Sequence, residues 1–232
     1  MPFLNRSSEQ QAPAKMPPQK SSVTIPVGKV VLKAELTLPV HPKGVVLFAH
    51  GSGSGRLSPR NRYVAEVLNE QGLGTLLADL LTSVEEEIDN EMRHLRFDIP
   101  LLAGRLQGIT DWTQENADIR GLGIGYFGAS TGAAAALIAA ASHPTLVQAV
   151  VSRGGRPDLA ANFLPQVKAP VLLIVGEYDH DVITLNKQAL AKLNDSSRLD
   201  IIPRARHLFE EPGALEDVAH LAADWFGKHI TG

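Results

Sequence analysis

Gly128-Ala129-Ser130-Thr131-Gly132 stands between a strand-like run, Leu122-Gly123-Ile124-Gly125-Tyr126-Phe127, and an alanine-rich stretch, Ala133 to Ala141, that reads as helix. Gly-x-Ser-x-Gly at a strand-to-helix junction is the sequence form of a nucleophile elbow. The turn is tight enough to strain the serine backbone. Neighbouring backbone passes too close for a Cβ at 128 or 132. The Ser130 hydroxyl is thereby lifted above a sheet edge. The pentapeptide alone is common, so its weight depends on whether an acid and a histidine follow downstream, in that order.

Both are present. Val171-Leu172-Leu173-Ile174-Val175, after Pro170, has the continuous apolar character of a parallel strand buried on both faces. It runs into Gly176-Glu177-Tyr178-Asp179, which places Asp179 on a loop leaving the C-terminal end of a strand. Asp181 is its rival for the role of acid. The next strand-like run, Arg198-Leu199-Asp200-Ile201-Ile202, is closed by Pro203, and His207 follows. Catalytic groups of open α/β sheets gather at that edge, so three loops are expected to bring Ser130, Asp179 and His207 to one rim. His180 is adjacent to Asp179 in the chain and is expected to be exposed.

A serine hydroxyl is a weak nucleophile near neutral pH and needs a base to take its proton. The imidazole needs a carboxylate to fix its tautomer and stabilise the imidazolium. The attacked oxygen becomes an anion and needs preorganised N–H donors. One donor is expected from the Thr131 amide, directly after the nucleophile. The other is expected from the loop His50-Gly51-Ser52-Gly53-Ser54-Gly55, which follows the strand-like Gly44-Val45-Val46-Leu47-Phe48-Ala49, with Ser52 as the donor. His50 is read as a structural group that holds this loop.

Composition narrows the classes. The 232 residues fit one domain with a substantial core. The net charge of −3, with no basic stripe, argues against nucleic acid as a partner. The absence of cysteine excludes disulfides, a thiolate nucleophile and cysteine-held metal. The acidic run Glu85 to Glu91 reads as a solvated face, and neither metal nor cofactor is expected. The N-terminus lacks an apolar signal region, and Ala133 to Ala141 is too short to span a bilayer. A cytoplasmic location without membrane attachment is therefore expected. Two nucleotide-binding patterns fail on context. Gly123-x-Gly125-x-x-Gly128 lies within a strand rather than after one, and no Gly-Lys-Ser/Thr follows the glycines at 51–55.

Residues 1–22, rich in Pro, Gln, Ser and Lys, read as a flexible leader, and residues 23–232 as the folded domain. Beyond the leader, helical and strand patterns alternate, which predicts an α/β fold with a mostly parallel sheet. Val23 to Pro39 reads as two antiparallel strands, Gly74 to Asp79 and Gln148 to Ser152 as further strands. Pro59 to Gln71, Leu101 to Glu115, Thr184 to Leu193 and Ala214 to Lys228 read as helices. The last carries Leu215, Val218, Ala219, Ala222, Trp225 and Phe226 on one face. Only Arg153 to Ala169 separates the strand after the nucleophile helix from the strand leading to Asp179, too little for a lid domain. The charged segment from Leu80 to Pro100 leaves a strand end and is positioned to lean over the site.

From about Val23 onward the chain resembles the α/β-hydrolase superfamily, and within it the dienelactone hydrolase group. The resemblance is carried by His50 to Ser54, Ser58 to Asn61 (Ser-Pro-Arg-Asn) and Gly128 to Gly132. These segments mark a bacterial branch that also occurs fused to a phosphoribosyltransferase domain; with 232 residues, no such second domain is expected here. The resemblance implies an eight-stranded sheet with helices on both faces, and a Ser-His-Asp triad working without a cofactor on a small ester or lactone. Dienelactone hydrolases use a cysteine nucleophile. Ser130 in that place favours general esterase chemistry. Thioesterase or amidase activity on the same triad, or a non-catalytic ligand-binding role on a hydrolase fold, are the alternatives. The sequence leaves the oligomeric state open. Arg56, Arg60, Arg153 and Arg156 follow strand ends at the same rim, and at least one is expected to anchor an anionic substrate group through its planar fork.

Overall fold

The computed structural model describes residues 17–231. Eight strands form one sheet: β1 (Gln19–Val27), β2 (Val30–Leu38), β3 (Val45–Ala49), β4 (Gly74–Ala78), β5 (Ile124–Ala129), β6 (Val147–Arg153), β7 (Val171–Gly176) and β8 (Arg198–Ile202). Six helices accompany them: α1 (Pro59–Glu70), α2 (Ser83–Met92), α3 (Ile99–Glu115), α4 (Thr131–Ser142), α5 (His180–Leu190) and α6 (Ala214–His229). The strand order is β1-β2-β4-β3-β5-β6-β7-β8. β1 and β2 pair antiparallel, as do β2 and β4, and the remaining pairs are parallel. The architecture is the expected one, and only two short 3₁₀ turns lie between β6 and β7 where a lid domain would stand.

The sheet separates two apolar clusters. On one face α3, α4 and α5 pack through Leu102, Leu106, Ile109, Ala136 and Ala189 against Leu47, Tyr126 and Val150. On the other, α1 and α6 pack through Val64, Leu68, Val218 and Phe226 against Phe48, Phe127 and Val151. The central strands β3, β4, β5 and β7 are buried along their whole length, as parallel strands covered on both faces must be. In α4 every residue from Thr131 to Ala140 is buried. Its run of alanines lets the helix backbone lie close on the sheet.

Local chemistry sets several boundaries. Ser58 caps α1, accepting from the Asn61 amide at 3.4 Å, with Pro59 at the first helical position. Thr82 and Glu85 form a reciprocal capping box at 3.2 and 2.7 Å, so the acidic run becomes α2. Four expectations shift. The 1–22 leader falls mostly outside the described residues, and its last four, Gln19 to Ser22, are strand paired with Glu35 to Leu38. Helix α5 begins at His180 and ends at Leu190, four residues ahead of the expected start and three short of the expected end. β6 extends through Arg153, and α3 starts at Ile99.

Candidate active site

Ser130 joins β5 to α4 with φ 50° and ψ −121°, a region that strains any residue with a Cβ. Surrounding backbone imposes it. A Cβ on Gly132 would overlap the carbonyl oxygens of Ala49 and His50, and one on Gly128 would overlap the Ala133 backbone. The Ser130 amide donates to the Arg153 carbonyl at 3.1 Å, and its own carbonyl accepts from the Arg156 amide at 3.1 Å. The nucleophile candidate is thus tied to the end of β6 on both sides.

Asp179 follows β7 and His207 follows β8. His207 Nδ1 and Asp179 Oδ2 are 2.6 Å apart. The carboxylate accepts, so Nδ1 carries the hydrogen and Nε2 is left as the basic nitrogen. The His207 ring lies against Gly154, the residue after the Ser130-bonded carbonyl: a Cβ there would be 3.4 Å from the ring's Cε1 and Nδ1. Asp181 is exposed in the first turn of α5, and His180 is exposed beside it.

The loop after β3 passes beside the serine. A Cβ on Gly51 would be 3.1 Å from Ser130 Cβ. His50 holds this loop to the chain just past β4: its Nε2 accepts from the Leu80 amide at 3.0 Å, and Nδ1 then donates to the Gly51 carbonyl at 3.1 Å. Burial pushes the His50 pKa below the usual histidine value, consistent with this neutral tautomer. Asp79, at the end of β4, accepts from the Arg56 amide at 2.7 Å and pairs with its guanidinium. The Ser52 amide, the expected second donor, donates to Thr131 Oγ1 at 3.1 Å. Thr131 opens α4, where first-turn amides have no intrahelical acceptor.

The segment after β4 closes over this loop. Asp89, buried at the end of α2, accepts from the Leu95 and Arg96 amides at 2.7 and 3.1 Å and from the Arg96 guanidinium. The turn so formed brings the Arg96 carbonyl to 3.1 Å from Ser52 Oγ. Between this strap, the oxyanion-loop candidate and the start of α1 lies a cavity of about 460 Å³, whose polar lining includes Ser52, Ser54, Arg60, Glu86, Asn90 and Arg96. Burial first, and repulsion from Asp79 second, raise the Glu86 pKa.

The four arginines separate by partner. Arg56 is committed to Asp79, and Arg156 makes a two-pronged pair with Asp158 at 2.7 and 2.8 Å. Arg60 lines the cavity and reaches exposed Glu210 at 3.3 Å. Arg153 is 8% exposed and its Nη1 is buried with no partner among the described residues. Burial, then repulsion from Arg60, lower its pKa to about 10. Among the described residues no group of three His, Asp or Glu side chains is placed to hold a metal ion, and no helix is long and apolar enough to cross a membrane.

The model of the dienelactone hydrolase family matches residues 32–229. The chain belongs to the dienelactone hydrolase family. A solved dienelactone hydrolase from Anabaena variabilis superposes with a TM-score of 0.91 and 63% identity, covering 93% of this chain and 100% of that one. Est1E from Butyrivibrio proteoclasticus superposes with a TM-score of 0.72 at 17% identity, over 89% of this chain and 98% of that one, a likeness of fold alone. Two Mycobacterium tuberculosis proteins, provisionally named phosphoribosyl transferases, are 53% identical over 221 residues, 95% of this chain and 49% of theirs. The chain spans about half the length of these curated relatives.

Proposed function

We propose that this chain is a serine hydrolase that cleaves a small carboxylic ester or lactone through an acyl-enzyme. The observation that carries the reading is the 2.6 Å His207–Asp179 hydrogen bond at the same sheet edge as the strained Ser130. In this reading Ser130 Oγ attacks the acyl carbon while His207 Nε2 takes its proton. Asp179 holds the imidazole by Nδ1 and stabilises the imidazolium. The tetrahedral oxyanion is received by the Thr131 and Ser52 amides. Collapse expels the alcohol, protonated by His207. Water, deprotonated by the same nitrogen, then releases the acid.

The cavity, lined by polar side chains together with Pro59, Leu81 and Leu102, suits a small substrate that carries both polar and apolar groups. Arg153 and Arg60 are our choice among the four arginines for anchoring an acidic group on it. Of the four, Arg153 is the guanidinium with no carboxylate partner among the described residues, and unpaired buried charge is costly unless a ligand supplies the counter-charge. It is also the residue whose carbonyl receives the Ser130 amide.

A fluorophosphonate probe tests the catalytic reading. It is expected to add once, at Ser130, and Ser130→Ala is expected to abolish labelling and lower ester turnover by ~10⁴-fold or more. Asp179→Asn is expected to cost roughly 10⁴-fold in rate with the fold intact. Labelling that persists in Ser130→Ala, or a crippling effect of Asp181→Asn in place of Asp179→Asn, defeats the assignment.

A further inference from the structure

The Ser52 amide, one of the two proposed oxyanion donors, is not idle. It donates to Thr131 Oγ1 at 3.1 Å. Thr131 Oγ1 is also 3.0 Å from Ser52 Oγ, which is 3.1 Å from the Arg96 carbonyl. The hydrogens in this chain have one consistent arrangement. A carbonyl only accepts, so the Ser52 hydroxyl hydrogen goes to Arg96. The Thr131 hydroxyl hydrogen must then go to Ser52 Oγ, while Thr131 Oγ1 receives the Ser52 amide. Thr131 Oγ1 therefore stands within hydrogen-bond range of the donor that a substrate oxyanion would use. Thr131 is a buried residue in the first turn of α4.

An oxyanion that the Ser52 amide turns to receive comes within reach of the Thr131 hydroxyl. Once the amide turns to it, Thr131 Oγ1 loses the hydrogen bond it was accepting and faces a negative charge. A hydrogen bond to a charged acceptor is about twice as strong as one between neutral hydroxyls. The hydroxyl hydrogen thus gains by turning from Ser52 Oγ to the oxyanion, a rotation about one C–O bond. Ser52 Oγ keeps its bond to Arg96 and stays in place. We propose that the Thr131 hydroxyl is a third oxyanion donor, held ready by the Ser52–Arg96 arm of the strap. Thr131 is then a catalytic residue through its side chain as well as its amide. Ser52 Oγ, Arg96 and the Asp89 carboxylate that shapes the strap turn are positioning groups. The proposal rests on the serine-hydrolase reading above.

Thr131→Val keeps the shape and both amides and removes only the hydroxyl. Steady-state kinetics on a p-nitrophenyl ester are expected to show kcat lowered ~10- to 100-fold, somewhat below the effect of deleting a principal oxyanion donor. KM is expected to change by less than about threefold, because a neutral carbonyl oxygen gains little from the third donor. Thr131→Ser is expected to restore kcat to within about fivefold of wild type, and Thr131→Ala to behave as Thr131→Val does, each with an unchanged melting temperature confirming the fold. Ser52→Ala is expected to lower kcat ~3- to 10-fold, and the loss is expected to shrink when combined with Thr131→Val, since the arm acts through the hydroxyl. An unchanged or raised kcat in Thr131→Val and Thr131→Ala, with wild type labelled by fluorophosphonate at Ser130, refutes the third donor and leaves the hydrolase reading standing. Absence of Ser130 labelling in wild type removes both.

Discussion

Replacing Arg153 by methionine removes a buried positive charge and keeps most of the stem's packing. Burial and Arg60 lower the Arg153 pKa from 12.5 to about 10. At 1.36 kcal/mol per unit, that is roughly 3 kcal/mol held against the charged form in the fold. The sign follows from linkage. A base whose folded pKa lies below its unfolded value binds more protons when unfolded, so it weakens the fold at every pH below about 10. The penalty fades only as pH rises through that value. At pH 7 it is fully present, and Arg153→Met is expected to leave stability unchanged or to raise it by up to ~3 kcal/mol. Urea unfolding at pH 7, extrapolated linearly, reads this directly. The same variant is expected to lose the preference for acidic over neutral esters of equal size. Arg156→Met, which breaks only a surface pair with Asp158, is expected to keep it. A loss of more than about 1 kcal/mol in Arg153→Met, or an undiminished preference for acidic esters, would refute the argument that this guanidinium awaits an anion.

Two further outcomes concern the frame of the site. The His50 pKa is lowered by burial, so the unfolded chain binds the extra proton. Wild-type stability is therefore expected to fall as pH drops below about 6.5, and urea unfolding from pH 8 to 5 is expected to show a shallower slope in His50→Gln, which starts ~1–3 kcal/mol less stable. Gly132→Ala places a methyl against the Ala49 and His50 carbonyls and is expected to cost ~3 kcal/mol or more. Gly104→Ala, on an open face of α3, is expected to stabilise by ~0.5–1 kcal/mol, so paired thermal melts check that space and not glycine content decides.

The strand-and-helix alternation and the Gly-x-Ser-x-Gly junction were readable because each is local: apolar runs and small residues report burial without knowledge of partners. Gln19 to Ser22 hid as leader because an edge strand leaves alternate side chains in water, and its polar residues look unstructured until paired with β2. The start of α5 was obscured by Asp179-His180-Asp181, polar residues that serve as cap and first turn. The Thr131–Ser52 contact spans 79 positions, and nothing in either segment signals the other. Which arginines are paired depends on Asp79 and Glu210, residues brought alongside Arg56 and Arg60 only by folding. Asp89 reads as one more acid in a solvated run, yet it is the buried centre of the strap turn.

The alanines of α4 divide the molecule into parts with different freedom to change. Every side chain from Thr131 to Ala140 is enclosed, and the helix sits against strands that are themselves enclosed, so added volume there has nowhere to go. The strained serine and the helix behind it therefore tolerate change only together. The strap from Ser83 to Phe97 is a different case: it is held mainly by polar contacts, the Thr82 capping box, the Glu85–Arg105 pair at 2.6 Å, the Lys33–Ser83 hydrogen bond, Asp89 and the Arg96 carbonyl, with Leu95 against the core, and it turns Val84, Ile88 and Met92 to solvent. Outside Asp89 and Arg96, which hold the turn against Ser52, it is the more exchangeable part, and its solvent-facing positions can change without crowding the helix that carries the serine.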